Sequence, residues 1–185
     1  MMIMKKFLLS LLFLIPLSGF AQKGMQGVGV NFGLGCCFLH GDYAYSYGVS
    51  YQNFVTDRFR LVSSLEVLDY IYESMWHSNY VEDVLASSYL LVVEGHYFFN
   101  DIRRLRPYVV GGVSVGFLET TGAHLNDGSR EWYYEPWTEF AGGVKLGVGL
   151  NYRIGYHLTA QLEVPVHLVY YNPLFTPSLS LVYTF

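Results

Sequence analysis

Apolar and polar residues alternate with a period of two along most of the chain. Within residues 27–35, Val28, Val30, Phe32 and Leu34 alternate with four glycines and one asparagine. This pattern predicts a β-strand with one apolar face and one face of small residues. It recurs in seven further segments, at residues 45–52, 60–67, 89–97, 109–117, 143–150, 157–164 and 178–185. The chain therefore contains eight predicted strands.

The segments between these strands alternate in length. Short connections are predicted near residues 55–58, 99–106 and 153–156, and mostly long ones near residues 35–44, 70–86, 119–137 and 170–177. Eight antiparallel strands joined in this way can close into a barrel that has no unpaired edge. The predicted fold is an all-β, eight-stranded antiparallel up-and-down barrel. No helical stripe of comparable length appears after residue 21, so helical membrane spans are not predicted.

The composition of the two faces decides which face points outward. The polar face consists mainly of Gly, Ser, Thr, Gln and Asn with a few charges, and a surface in water would carry more Lys and Glu. A soluble lipocalin-type barrel, with its apolar face inside, is therefore disfavoured against a transmembrane barrel whose apolar face contacts lipid. Aromatic rings at strand ends are predicted to form interfacial girdles: Tyr45, Tyr47, Tyr97, Tyr108, Tyr152, Tyr170 and Tyr183.

The first 21 residues have the layout of an export signal. Lys5 and Lys6 precede an apolar stretch, Phe7 to Leu17, and Gly19 and Ala21 stand where a signal peptidase requires small residues. We therefore expect a signal peptide at residues 1–21 and a single domain, the barrel, at residues 22–185.

Charge and composition fit a membrane location and exclude one class of partner. Charged residues make up 14% of the chain, against about 25% in ordinary soluble domains. Without Lys5 and Lys6, nine basic residues stand against 15 acidic ones, which argues against nucleic-acid binding. Arginines are predicted at the short-turn end, at positions 58, 103, 104, 106 and 153, whereas acidic residues dominate the long connections.

The last strand carries a resemblance to a known family. Residues 178–185 place Leu181, Tyr183 and Phe185 on one face and end in Phe, which resembles the C-terminal assembly signal of bacterial outer-membrane barrels, although Ser180 stands where Gly is common. Together with the eight strands, this makes the chain similar to the small OmpA/OmpX-like proteins. The resemblance implies a monomer in the bacterial outer membrane that contacts lipid and lipopolysaccharide, is recognised by the barrel assembly machinery, and uses no cofactor.

Charged residues near the strand centres are predicted to meet inside the barrel, because buried charge is costly unless it is paired. These residues are Arg60, Glu66, Glu94, Lys145 and Glu163. His96, His157 and His167 alternate onto the same inward face. They favour a plug that fixes strand register, since eight strands leave little lumen space. The alternative is a gate or a proton-conducting pore.

The long connections combine aromatic and acidic residues, which suits a binding partner or divalent cations, or merely a solvated rim. No metal-ligand spacing is present, and we assign no catalytic residues. An outer-leaflet lipid-modifying enzyme, of the lipid A deacylase or acyltransferase type, would use His77 with Ser78 and Glu82 or Asp83, or His167. Neighbouring Cys36 and Cys37 are interpreted as small apolar residues. The favoured role is structural or surface interaction, and the alternatives are a narrow pore and a lipid-modifying enzyme.

Overall fold

A computed structural model describes residues 25–37, 43–77, 80–100, 104–121, 123–126, 131–169 and 172–185. Side chains are described there except at 37, 72–77, 80–84, 123–126, 131–134 and 172. The predicted signal peptide lies outside the described residues. The strands are β1 (Gln26–Cys37), β2 (Tyr43–Phe54), β3 (Phe59–His77), β4 (Tyr80–Phe98), β5 (Leu105–Thr120), β6 (Ala123–Asn126), β7 (Glu131–Tyr134), β8 (Thr138–Arg153), β9 (Leu158–Val169), β10 (Asn172–Phe175) and β11 (Ser178–Thr184).

The strands close into the predicted eight-stranded antiparallel barrel. The order is β1, β2, β3, β4, β5, β8, β9 and then β10 with β11, which both return to pair with β1. The eighth strand position of the barrel is thus occupied by two strands, β10 and β11, which are separated by Thr176 and Pro177. Pro177 has no backbone N–H to donate to the ladder, which is consistent with the interruption at this place. Closure leaves no open edge along the barrel wall.

Three of the predicted long connections contain strands, which corrects the sequence interpretation. Strands β3 and β4 remain paired out to His77 and Tyr80, β6 pairs with β7, and β10 extends the last strand. The β3–β4 register shifts between Ile71 and Glu73. Such a bulge interrupts the period-two alternation, so the sequence pattern does not show that the strands continue.

Apolar side chains cover the outside of the barrel, as predicted. Leu146, Val113 and Val30 are 64%, 58% and 58% exposed, while Glu94 and Lys145 at the opposite parity are both 5% exposed. The outward face is therefore suited to lipid and the inward face to a closed lumen. No helix in the described ranges is long and apolar enough to cross a bilayer.

Five of the seven rings that were predicted to form interfacial girdles are exposed, and one is buried. Exposed rings lie at Tyr45, Tyr47, Tyr97, Tyr152 and Tyr183. Tyr108 is only 1% exposed and lies inside the barrel, because the alternation that places Val109 outward places its neighbour inward. Tyr170 lies outside the described residues.

The lumen is filled in layers. At the long-loop end, apolar side chains form a cluster that includes Leu68, Leu90, Val92, Leu118 and Leu174, although a small and polar interior was predicted there. Charged residues occupy the middle. At the short-turn end, Phe98, Tyr108 and Val110 form an aromatic cluster against Phe54. A polar layer is thus enclosed between two apolar ones.

Candidate functional site in the barrel lumen

One ammonium group and three carboxylates form the centre of the lumen. The Nζ atom of Lys145 lies 3.0 Å from Glu94 Oε2, 3.0 Å from Glu163 Oε1 and 3.5 Å from Glu66 Oε1. An ammonium has three N–H donors, so each donor has a carboxylate within reach. The carboxylates are buried, and their repulsion is offset by this single cation.

Strand register explains how these residues meet. Glu94 on β4, Gly112 on β5 and Lys145 on β8 lie side by side in one row of paired residues. A Cβ atom at Gly112 would lie 2.7 Å from Glu94 Cβ, so any larger residue would separate the two charged side chains. Tyr108 reaches across Gly149 in the same way and donates a hydrogen bond to Glu163 Oε2 at 3.1 Å.

Glu66 also accepts hydrogen bonds from residues on β1 and β3. Its Oε1 atom accepts hydrogen bonds from Ser64 Oγ at 2.8 Å and from Asn31 Nδ2 at 3.3 Å. Buried carboxylates are stabilised by such donors as well as by a counterion. The carboxylate is thus held by strands β1, β3 and β8 together.

The contacts of His96 determine its tautomer. Arg60 Nη2 lies 2.6 Å from His96 Nδ1, and because a guanidinium has only donors, Nδ1 must be the acceptor. The proton therefore sits on Nε2, which lies 3.1 Å from Glu94 Oε1 and 3.8 Å from Glu163 Oε2. His96 is therefore neutral and lies between the guanidinium of Arg60 and the carboxylates of Glu94 and Glu163.

This tautomer also bears on metal binding. Ligand atoms of Glu94, His96 and Glu163 lie within 4.8 Å of one another, which is close enough to surround an ion. A metal on His96 Nε2 would require the ring proton to move to Nδ1, where Arg60 already donates. The arrangement therefore fits a hydrogen-bond network better than a metal centre.

Two arginines extend the polar layer towards the short-turn end. Arg60, 1% exposed, donates through Nη1 to Asn151 Oδ1 at 3.2 Å, and its Cζ lies 5.0 Å from the centre of the Phe98 ring. Arg106, predicted at the rim, is instead buried with its Cζ 4.0 Å from the same ring. Parity again explains this, since Leu105 next to it points outward.

Of the eight residues that were predicted to meet inside the barrel, six lie buried together in the lumen. We name these six the polar cluster: Arg60, Glu66, Glu94, His96, Lys145 and Glu163. His157 does not join it, because β9 begins only at Leu158 and the imidazole lies in the exposed turn, beside Thr184 O at 2.9 Å. The sequence interpretation missed Tyr108 and Asn151 as partners. The alternation pattern shows that both side chains point inward, but it does not show which side chains they contact.

His167 has a separate partner within the lumen. Its Nε2 lies 3.0 Å from Ser114 Oγ, a pairing that brings to mind a serine nucleophile and its base. Both residues are at most 2% exposed and face the closed interior, whereas a lipid substrate would approach from the outer surface. The side chains of His77, Ser78, Glu82 and Asp83 lie outside the described residues.

The two cysteines and the last strand lie at the seam where the barrel closes. Cys36 has a free thiol, and the side chain of Cys37 is not among those described. Leu181, Tyr183 and Phe185, the predicted assembly signal, are exposed on the outer wall. The Phe185 backbone N–H donates to Gln26 O at 2.8 Å, so this residue also takes part in closing the ladder.

The packing of the lumen predicts that the protein does not conduct ions. The described side chains leave a cavity of about 20 Å³ beside the polar cluster, enough for roughly one or two water molecules. We expect no discrete current steps when the purified protein is reconstituted in a planar bilayer, with a known porin as positive control. Current steps that disappear in Glu94→Gln or Lys145→Met would contradict this and would support a pore.

No protein-family profile and no curated protein sequence matches this chain. Among solved structures, it is similar to the N-terminal barrel domain of OprF from Pseudomonas aeruginosa, with 18% identity, a TM-score of 0.50, and 88% of this chain and 100% of that chain covered. It is also similar to Ail, the attachment invasion locus protein of Yersinia pestis, with 10% identity, a TM-score of 0.56 and coverages of 89% and 100%. It is similar as well to Neisserial surface protein A, with 14% identity, a TM-score of 0.55, and 88% of this chain and 97% of that chain covered. What these proteins share with this chain is the fold.

Proposed function

We propose that the protein is an integral outer-membrane barrel with a closed, structural lumen, and that its long-loop end contacts a partner outside the cell. The apolar outer wall and the fold shared with outer-membrane barrels support the location. The polar cluster supports a structural lumen, because its charges are paired with one another and the cavity beside them measures only about 20 Å³.

The observation that carries the surface role is the length of the β3–β4 hairpin. Strand β2 pairs with β3 as far as Tyr70, whereas β3 continues beside β4 to His77. Seven further residues of strand correspond to roughly 23 Å. A hairpin that extends beyond its neighbour in this way presents additional strand backbone at the long-loop end, where a partner can bind without changing the barrel.

The charge of this end favours a cationic partner. Glu73, Glu82 and Asp83 belong to the extended hairpin, Glu135 to the neighbouring connection, and Glu139 to the start of β8. Ail has been crystallised with a heparin analogue, sucrose octasulfate. A polyanion of that kind would meet repulsion from the acidic residues here, so we propose the opposite partner charge for this chain.

Binding of charged probes tests the proposal. Protein in zwitterionic nanodiscs is expected to bind polylysine at low salt, and the variant Glu73→Gln, Glu82→Gln, Asp83→Asn is expected to bind polylysine about tenfold more weakly. Surface plasmon resonance measures both. Asp57→Asn, at the short-turn end, is the matched control and should leave binding unchanged. Equal polylysine binding by the wild-type protein and the triple variant would overturn the proposed partner class.

A further inference from the structure

We propose that a small oxyanion of the phosphate or sulfate class binds in a cavity at the short-turn end of the lumen. This site is separate from the surface role proposed above, since it lies at the opposite end of the barrel. We name this cavity the vestibule. Its polar lining includes Gln52, Arg60, Arg106, Asn151, Arg153 and Gln161.

The vestibule has the size and the charge that a small anion requires. Its volume is about 40 Å³, room for roughly three water molecules. Three guanidinium groups line it, and no carboxylate does so among the residues that the structure describes. A guanidinium matches the geometry of an oxyanion because its parallel N–H groups can bind two oxygens at once.

Arg60 is the buried anchor of this site. The two acceptors of its guanidinium, His96 Nδ1 and Asn151 Oδ1, are neutral, and its Nε donates no hydrogen bond. Among the described residues, no carboxylate accepts a hydrogen bond from Arg60, and Glu94 Oε1 lies on the far side of the His96 ring, 3.1 Å from Nε2. A buried cation with neutral partners and an unused donor has capacity to bind an anion.

A second guanidinium, that of Arg106, lines the same cavity. Arg106 and Arg60 both stack on the Phe98 ring, with Cζ atoms 4.0 and 5.0 Å from its centre. Arg106 also donates to the backbone carbonyls of Asp57 and Asn100. These bonds hold the guanidinium in place, and an anion between the two arginines would offset the repulsion between their charges.

Arg153 completes the vestibule at its mouth. Its Nε and Nη2 atoms donate to Gly155 O at 3.1 Å and to Tyr156 O at 3.2 Å, so the turn holds the guanidinium beside the cavity. Hydroxyls of Thr159 and Thr184 also line the cavity. The available space admits a free anion, whereas a phospholipid could insert only its phosphate and would leave its chains outside.

Phosphate titration of the full barrel tests the site. In dodecyl maltoside micelles and chloride-free buffer, calorimetry with inorganic phosphate is expected to give saturable binding with a dissociation constant of about 1 mM, and sulfate is expected to compete. Arg153→Gln should weaken binding about tenfold, which corresponds to the loss of one charge-assisted contact. Arg104→Gln is the matched control, because Arg104 stacks on Tyr152 and does not line the cavity.

A competition experiment distinguishes a free anion from a lipid phosphate, and two further outcomes would show that the site does not exist. If a short-chain phosphatidylglycerol competes with inorganic phosphate as strongly as sulfate does, the site is supported with a lipid phosphate as the source. If it does not compete, a free anion is supported. Absence of saturation up to roughly 50 mM phosphate, or unchanged binding in an Arg153→Gln protein that unfolds at the wild-type temperature, would overturn the proposal.

Discussion

Replacing Lys145 with methionine is expected to destabilise the folded barrel by about 3–5 kcal/mol. The substitution removes the cation of Lys145, which among the described residues is the one that lies within 3.5 Å of the carboxylates of Glu66, Glu94 and Glu163. Methionine has a similar length, so packing is largely kept and the expected loss is electrostatic. Three mutually repelling carboxylates would then share a buried space that admits roughly one or two waters.

Urea unfolding in phospholipid liposomes, followed by tryptophan fluorescence, measures this loss. Arg104→Met at the exposed short-turn end is the control, and we expect it to change the free energy of unfolding by about 0.5 kcal/mol or less. Adding Glu94→Gln to Lys145→Met should recover part of the stability, which a purely steric role of the lysine would not produce. A Lys145→Met protein within about 1 kcal/mol of wild type would show that the polar cluster does not depend on this ion pairing.

Period-two alternation was sufficient to predict the eight strands of the barrel wall and the inward direction of Glu94 and Lys145, because side-chain direction in a strand follows from parity alone. Which inward residues touch one another was not predictable in that way. Tyr108 and Glu163 are 55 positions apart, and they meet because β5, β8 and β9 align them across Gly149. Register is a property of paired strands, so a single sequence did not reveal this contact.

The apolar cluster at the long-loop end was missed for a different reason. Leu68, Leu118 and Val169 have inward parity, but they lie beyond the ends of the predicted strands at residues 60–67, 109–117 and 157–164, so they were not predicted to line the lumen. Strand ends are the least certain part of such a prediction. Extending the strands adds a third, apolar layer to the lumen, and this layer closes the barrel on the side opposite to the vestibule.

Replacing Leu146 with arginine is expected to cost about 2–4 kcal/mol when the protein folds into a bilayer. Leu146 is 64% exposed on the outer wall of β8, level with Gly111 and Val166 in the ladder. On a barrel in water, an arginine at so exposed a position would be tolerated. In lipid, the guanidinium must either leave water or draw water into the hydrocarbon, and both are costly.

The matched control for Leu146→Arg is Ile154→Arg, which changes an apolar residue of similar exposure in the turn that follows β8. There the guanidinium reaches the interface, so the expected cost is about 0–1 kcal/mol. Urea titration of both variants in the same liposomes gives the difference between them, which cancels effects on the unfolded chain. If Leu146→Arg costs no more than Ile154→Arg, the apolar wall does not face hydrocarbon. The proposed membrane location would then fail, while the contacts of the polar cluster inside the lumen would still stand.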